Sequence, residues 1–278
     1  MQRLAIIPNL KKDPELSVTK KLVEEINKRV TVVLPSEFES KVSGVEFSND
    51  VYSDVDVAII VGGDGTVINA ALPCAKANVP MLGVNLGRIG FMSEVELCSI
   101  DDAIEALISG DYTIENRMMM DVEITRTNGE KKLFHALNDA VIEKARGVNL
   151  IGIELFSDEE KIIQYVADGI IISTPTGSTG YNLSAGGPVV NPLMSLFVAT
   201  AICPHMLTAR PAVLPSEKPI IITSGCGISR KAIASVDGEA VCDLEPGDKV
   251  TITKSEYTAK LIKTVRRSFY DTLIEKLL

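Results

Sequence analysis

Tryptophan is absent, and the 278-residue chain has only two histidines, His135 and His205. A histidine-rich metal centre is excluded. The five cysteines (Cys74, Cys98, Cys203, Cys226, Cys242) are odd in number, scattered, and form no CxxC pair. Neither a disulfide framework nor a zinc site is expected, and the reading is of a reduced, cytoplasmic protein. Basic residues are outnumbered, 28 against 37 acidic, for a formal charge of −9. That balance argues against a nucleic-acid partner or an anionic membrane surface. No apolar run approaches the roughly 20 residues needed to span a bilayer. Met1 to Ile7 is too short a stretch, too soon followed by Lys11-Lys12, to read as a signal peptide. An acidic chain that handles phosphates must use local devices: backbone N–H groups, a metal ion, or a few placed cations.

What the chain does have is an ordinary globular composition, 46% hydrophobic and 23% charged, with length for two modest domains. Over the first hundred residues strand and helix patterns alternate. Leu4–Pro8, Thr31–Leu34, Val55–Val61 and Met81–Asn85 read as strands, the third apolar enough to be buried on both faces. Asp13-Pro14-Glu15 reads as a helix start, with Leu16, Leu22, Val23, Ile26 and Val30 at helical spacing. A second helix is expected from about Thr66 to Ala77, disturbed at Pro73. A third covers Asp101–Ile108 and is closed by Gly110. This alternation predicts a parallel sheet covered by helices.

After about residue 115 the pattern becomes β-rich. Met120–Thr125, a hairpin turn at Asn128-Gly129, and one strand over Leu133–Ile142 are expected. Leu150–Phe156 and Ile162–Val166 flank a turn at residues 157–160. Val213-Leu214, Ile220–Thr223, Lys231–Val236 and Lys249–Thr253 are further strand candidates. Phe269–Leu278 reads as a terminal helix returning to the first domain. The expected organisation is an α/β domain over 1–115, a β-rich domain over 116–265, and the returning helix over 266–278.

Four segments carry chemistry. The first is Gly62-Gly63-Asp64-Gly65-Thr66, directly after Ala58-Ile59-Ile60-Val61. Three glycines let the backbone approach a phosphate closely while holding a carboxylate beside it, and the following helix start favours anions. This is neither GxxxxGK[ST] nor GxGxxG. A plain tight turn with Asp64 as helix cap is the competing reading. The second segment, Leu86-Gly87-Arg88-Ile89-Gly90-Phe91-Met92, also follows a strand, so it lies where open α/β sheets bind ligands. Phe91 suits stacking on a nucleobase, or a place in the core. The third, Asn138-Asp139, offers groups for hydroxyls and amides, or simple turn chemistry. The fourth is the long run from Asp168 to Pro188, DGIIISTPTGSTGYNLSAGGP. It delivers N–H and O–H donors without a lysine, which suits phosphates and sugars in an acidic protein.

Taken in this order, GGDGT at 62–66, GRIGFM at 87–92, ND at 138–139 and the run at 168–188 resemble the NAD kinase family over nearly the whole chain. PHMLTARP at 204–211 and VDGE at 236–239 add weaker support. The resemblance implies a Rossmann-like N-terminal α/β domain and a β-sandwich-like C-terminal domain, with NAD bound in the cleft between them. It implies phosphorylation of the 2′-hydroxyl of the adenosine ribose by ATP or polyphosphate, forming NADP. Asp64 is implied as the catalytic acid residue that activates that hydroxyl, with Gly65 beside it. Gly62, Gly63, Gly65 and Thr66 are implied as the donor-phosphate loop. Phe91 would line the adenine pocket, while Asn138 and Asp139 would hold adenosine groups; many relatives carry Glu in place of Asp139. Asp168, Thr176, Thr179, Gly180, Tyr181, Asn182, Leu183, Ser184, a backbone group near Cys203, and Glu239 would hold the remainder of the dinucleotide. Mg²⁺ or another divalent cation would be held mainly by the donor phosphates, with no protein metal site. A homodimer or homotetramer is implied. A diacylglycerol-type lipid kinase, which shares the first loop, and a non-catalytic dinucleotide sensor are the alternative readings.

Overall fold

Short apolar strands that must be buried on both faces pair in parallel, and the first third of this chain is built that way. A computed structural model describes every residue except 88–89, 94, 148–149, 207, 225–230, 265–266 and 278. The chain divides into two compact units: Met1–Asn116 with Ala259–Leu278, and Arg117–Thr258. The return to the first unit thus begins at Ala259, inside a strand, seven residues ahead of the expected 266.

The first unit runs β1 (Arg3–Pro8), α1 (Ser17–Ile26), β2 (Thr31–Pro35), β3 (Glu46–Ser48), β4 (Val57–Gly62), α2 (Asp64–Ala77), β5 (Met81–Asn85) and α3 (Ile100–Ser109). The strands stand in the order β3-β2-β1-β4-β5, all parallel. The order reverses between β1 and β4: the chain leaving β1 builds outwards one way, and the chain leaving β4 the other. In open α/β sheets, ligands bind beyond the carboxyl ends of the strands at such a point. β4 and β5 are buried along their whole length. Leu4, Ile6, Val32, Ile59, Val61 and Leu82 form a core with Leu22 and Ile26 of α1 and Ile104 and Leu107 of α3.

Two helix starts differ from the sequence expectation. α1 begins at Ser17, because Leu16 takes a left-handed conformation (φ 54°). The Asp13 carboxylate still caps it from a distance, accepting from the backbone N–H groups of Val18 and Thr19 at 3.3 and 2.9 Å. α2 starts at Asp64, two residues early, and runs through Pro73 without a break. Its buried face of Val67, Ala70, Ala71 and Cys74 offsets the roughly 3 kcal/mol that an interior proline costs.

The second unit holds β6 (Thr113–Thr125, entering from the first unit), β7 (Lys131–Ala136), β8 (Asp139–Lys144), β9 (Ile151–Ser157), β10 (Glu160–Ala167) and β11 (Gly169–Ser173). A short helix α4 (Tyr181–Ser184) follows, then β12 (Leu196–Ile202), β13 (Ala212–Pro215), β14 (Ile220–Ser224), β15 (Ala232–Val236), β16 (Glu239–Leu244) and β17 (Lys249–Lys263). One sheet has the order β13-β12-β11-β8-β15-β16, and β10-β9-β14-β17 form part of the other. Alternate residues of both meet in one core, including Ile153, Leu155, Ile220 and Ile222 from one sheet and Ile142, Ile170, Ile172, Phe197 and Ala234 from the other. This two-sheet packing is a β-sandwich. The strand expected over Leu133–Ile142 is two strands, broken at Leu137-Asn138. The last strand returns to the first unit, where Leu261 pairs with Met81, and α5 (Phe269–Leu277) follows.

Candidate active site

In the first unit Gly62 ends β4 and Gly63 stands at the N-cap of α2 with an extended backbone. Asp64 is the first helical residue, yet its side chain turns away from the helix. Its Oδ1 accepts from the backbone N–H groups of Met92 and Ser93 at 3.1 and 3.0 Å and from the Ser93 hydroxyl at 2.8 Å. Its Oδ2 accepts from the Phe91 N–H at 2.8 Å. Gly90 makes this possible: any Cβ there would collide with the Asp64 carboxylate. Gly83 lets the same segment lie against β5, since its Cβ would come 2.8 Å from the Met92 carbonyl oxygen. The Thr66 hydroxyl accepts from the Asn9 side-chain amide at 2.7 Å. Gly65 is exposed. The Phe91 ring lies against Phe269 of α5, with centroids 6.0 Å apart, and carries the Lys276 ammonium 4.3 Å from its centroid. Arg88 and Ile89 of the GRIGFM segment lie outside the described residues, as does Leu207 of the PHMLTARP segment.

In the second unit Asp237, quoted above only as part of VDGE and given no role there, organises the ND segment. Asp237 accepts hydrogen bonds from the backbone N–H groups of Leu137, Asn138 and Asp139 at 2.8, 2.8 and 3.1 Å. It can do so because Asp237 and Gly238 both take positive φ (49° and 83°), tightening the β15–β16 hairpin. The carbonyl groups of the same turn are held from the opposite side. Thr174 donates its hydroxyl to Leu137 O at 2.6 Å and its N–H to Asn138 O at 2.8 Å. A Cβ on Gly177 would overlap the Asn138 carbonyl, so only glycine lets the TPTGST loop close on this turn.

The product is a concavity of about 310 Å³ lined by Asn138, Asp139, Val141, Glu143, Tyr181, Ser235, Asp237 and Gly238. Asp139 is buried, and burial, followed by the neighbouring Asp237 charge, pushes its carboxyl up to about 7. Burial also raises Asp237, against the three N–H donors that favour its ionised form. The Tyr181 phenol is raised by burial and by the nearby Glu143, Cys203, Asp139 and Asp168, so these five side chains share one neighbourhood. Its carboxylates suit hydroxyls, an amide or amino group, or a cationic ring, and repel phosphates. Among the described residues five buried side-chain polar atoms have no hydrogen-bond partner, and two of them, Asn138 Oδ1 and Thr176 Oγ1, lie on the ND turn and the TPTGST loop that closes on it.

The remaining expected residues fall into three groups. Thr179, Gly180 and Leu183 are half-buried in the loop, while Ser184, Cys203 and Glu239 are exposed. Cys203 carries a positive φ of 45°, which turns the backbone there. Asp168 is ion-paired with Lys144 at 2.7 Å, a partner that sequence reasoning did not single out. Asn182 is fully buried, and its side chain serves the loop itself, donating to Ser178 O and Pro188 O and accepting from the Thr200 hydroxyl at 2.7 Å.

These two groups of residues coincide with two family models. Residues 5–112 match the ATP-NAD kinase N-terminal domain, and residues 137–264 match the ATP-NAD kinase C-terminal domain. The chain belongs to the NAD kinase family. It is 36% identical to the NAD kinase of Natranaerobius thermophilus over 100% of this chain and 98% of that one. It is 40% identical to the NAD kinase of Carboxydothermus hydrogenoformans over 80% of this chain and 79% of the other. Its fold is similar to that of the yeast NADH kinase solved with NADH, with a TM-score of 0.88 at 23% identity, covering 100% of this chain and 87% of that one. An Archaeoglobus fulgidus NAD kinase solved with ATP gives a TM-score of 0.74, also at 23% identity, covering 99% and 98%. The GGDGT loop thus lies in the N-terminal family domain, and the ND and TPTGST segments in the C-terminal one.

Proposed function

We propose that the chain, as an NAD kinase, transfers a phosphoryl group from ATP or polyphosphate to the 2′-hydroxyl of the adenosine ribose of NAD, with Asp64 receiving the hydroxyl proton. The observation that carries the role of Asp64 is the uneven use of its two oxygens. Oδ1 accepts three hydrogen bonds and Oδ2 only one. A carboxylate oxygen has about two lone-pair sites, so Oδ2 keeps acceptor capacity for a substrate hydroxyl. Held from four sides, the group is preorganised, and positioning is most of what phosphoryl transfer asks of a protein.

Asn138, Asp139, Asp168, Thr176, Tyr181 and the exposed groups of residues 179–184, with Cys203 and Glu239, bind the dinucleotide. The orphaned Asn138 Oδ1 and Thr176 Oγ1 support this. Asn182 acts by positioning the loop. Gly62, Gly63, Gly65 and Thr66 receive the donor phosphates, and Phe91 contacts adenine.

Mg²⁺ or another divalent cation, held mainly by the donor phosphates, would supply positive charge to the group in transfer. A homodimer or homotetramer is part of this reading, as the family resemblance implies. Among the described residues no helix is long and apolar enough to cross a membrane. Among the described residues the cysteines Cys74, Cys98, Cys203 and Cys242 are free, which fits a reducing cytoplasm.

A matrix of ATP or polyphosphate against NAD, NADH and diacylglycerol, scored for phosphorylated product, tests the reading. NADP formation from NAD is expected. Phosphorylation of diacylglycerol alone, or tight NADP binding without turnover, would overturn it.

A further inference from the structure

Lys12 lies on the loop that leaves β1, the strand beside β4 at the point where the strand order reverses. Two fixed ends hold this loop. Asn9 binds the Val61 carbonyl through its N–H at 3.0 Å and the Thr66 hydroxyl through its amide at 2.7 Å. Asp13, itself buried, is bound into the first turn of α1 through Thr19. Between them the N–H groups of Lys12 and Asp13 both donate to the Asn9 carbonyl, at 2.9 and 2.8 Å. The turn so formed aims the Lys12 side chain across the crevice. Its ammonium rests directly over Gly63, where a Cβ would collide with Nζ, and on the side where Asn85 Oδ1 also approaches.

Three features make this more than a surface lysine. Lys12 is exposed to solvent, yet among the described residues it forms no ion pair, in a chain with nine more acidic than basic residues. Other lysines on this surface do sit on a carboxylate, as Lys21 does with Asp101 and Lys28 with Glu25. The glycine beneath it is buried. Any other residue at Gly63 would push the ammonium off the GGDGT loop. A placed cation is one of the local devices open to an acidic protein that holds a polyanion, and an ammonium is a compact point charge for phosphate oxygens.

We propose that Lys12 is a positioning residue for the phosphoryl donor, pairing with the oxygens of its polyphosphate tail above Gly63, and that it makes no contribution to holding the dinucleotide acceptor. The assignment rests on the phosphoryl-transfer reading above. Lys11, next in the chain, is also exposed but has no such seat on the loop, and it serves as the control.

The test compares Lys12→Met, Lys12→Arg and Lys11→Met in the full chain. The KM for ATP and for NAD is measured separately, and binding of inorganic tripolyphosphate with Mg²⁺ is followed by calorimetry. Lys12→Met is expected to raise the KM for ATP, and the dissociation constant for tripolyphosphate, by at least about tenfold. The KM for NAD should stay within about twofold. Lys12→Arg should recover part of the loss, and Lys11→Met should match the parent. Unchanged tripolyphosphate binding in Lys12→Met, or equal rises in both KM values, would overturn the proposal. If the parent makes no NADP from NAD, the phosphoryl-transfer reading fails on its own, while tripolyphosphate binding still decides whether Lys12 meets a phosphate tail.

Discussion

Ser93 donates twice to one oxygen of Asp64, from its backbone N–H at 3.0 Å and from its hydroxyl at 2.8 Å. A residue 29 positions away thus fixes the carboxylate to which the proposed proton transfer is assigned. Ser93→Ala removes one of four hydrogen bonds and is expected to lower kcat by no more than about tenfold. Gly90→Ala drives a Cβ into the carboxylate and should cost about 10²-fold, the scale of a displacement near 1 Å. Steady-state rates, with circular dichroism to confirm folding, check both. A Gly90→Ala variant with parental kcat would show that the carboxylate need not lie where Ser93 holds it.

Asp237 offers a second test, since it accepts from three consecutive N–H groups at residues 137–139. Asp237→Ala leaves those donors unpaired, at a cost of about 2 kcal/mol. For a chain of this size that lowers Tm by several degrees. The released turn carries Asn138 and Asp139, so the KM for NAD should rise while the KM for ATP does not. A rise confined to ATP would contradict the assignment of this turn to the dinucleotide.

Burial and the Asp237 charge raise Asp139 from its ordinary value of 3.8 to about 7. A carboxyl whose pKa is higher in the folded state binds its proton more tightly there. Its contribution to stability is complete below about pH 4 and is lost as pH rises towards 7. Asp139→Asn should therefore flatten this part of the pH–stability profile and leave the variant more stable than the parent at pH 8. Urea midpoints between pH 4 and 8 read this directly. A parent-like slope in Asp139→Asn would place the titration elsewhere.

The parallel strands were legible because Ala58–Val61 and Met81–Asn85 are apolar throughout and end at turn residues. The terminal helix was legible from Phe269 onwards. Other elements were hidden for physical reasons. Leu133–Ile142 is apolar on both sides of Leu137-Asn138, and what breaks it is a carboxylate about a hundred residues on. β12, Leu196–Ile202, is apolar except for Thr200, so no period of two separates strand from helix. β3 has three residues, too few to show any period.

In the candidate site the glycines and Asp64 stood out because no packing role requires such a run. Asp237, Lys12 and Lys144 did not, because their roles depend on which loops the sheets bring together. Asn182 was expected among the ligand groups; its side chain is bonded within the fold, to Ser178, Pro188 and Thr200, partners that the sequence does not reveal.

If Asp64 takes the proton of the NAD 2′-hydroxyl, Asp64→Asn should slow the transfer without releasing the substrate. The substitution preserves shape and removes the base. It should leave NAD binding, measured by calorimetry, within a few-fold of the parent, and it should lower kcat by about 10²–10⁴-fold. Near-parental turnover with intact binding would show that Asp64 is not the base.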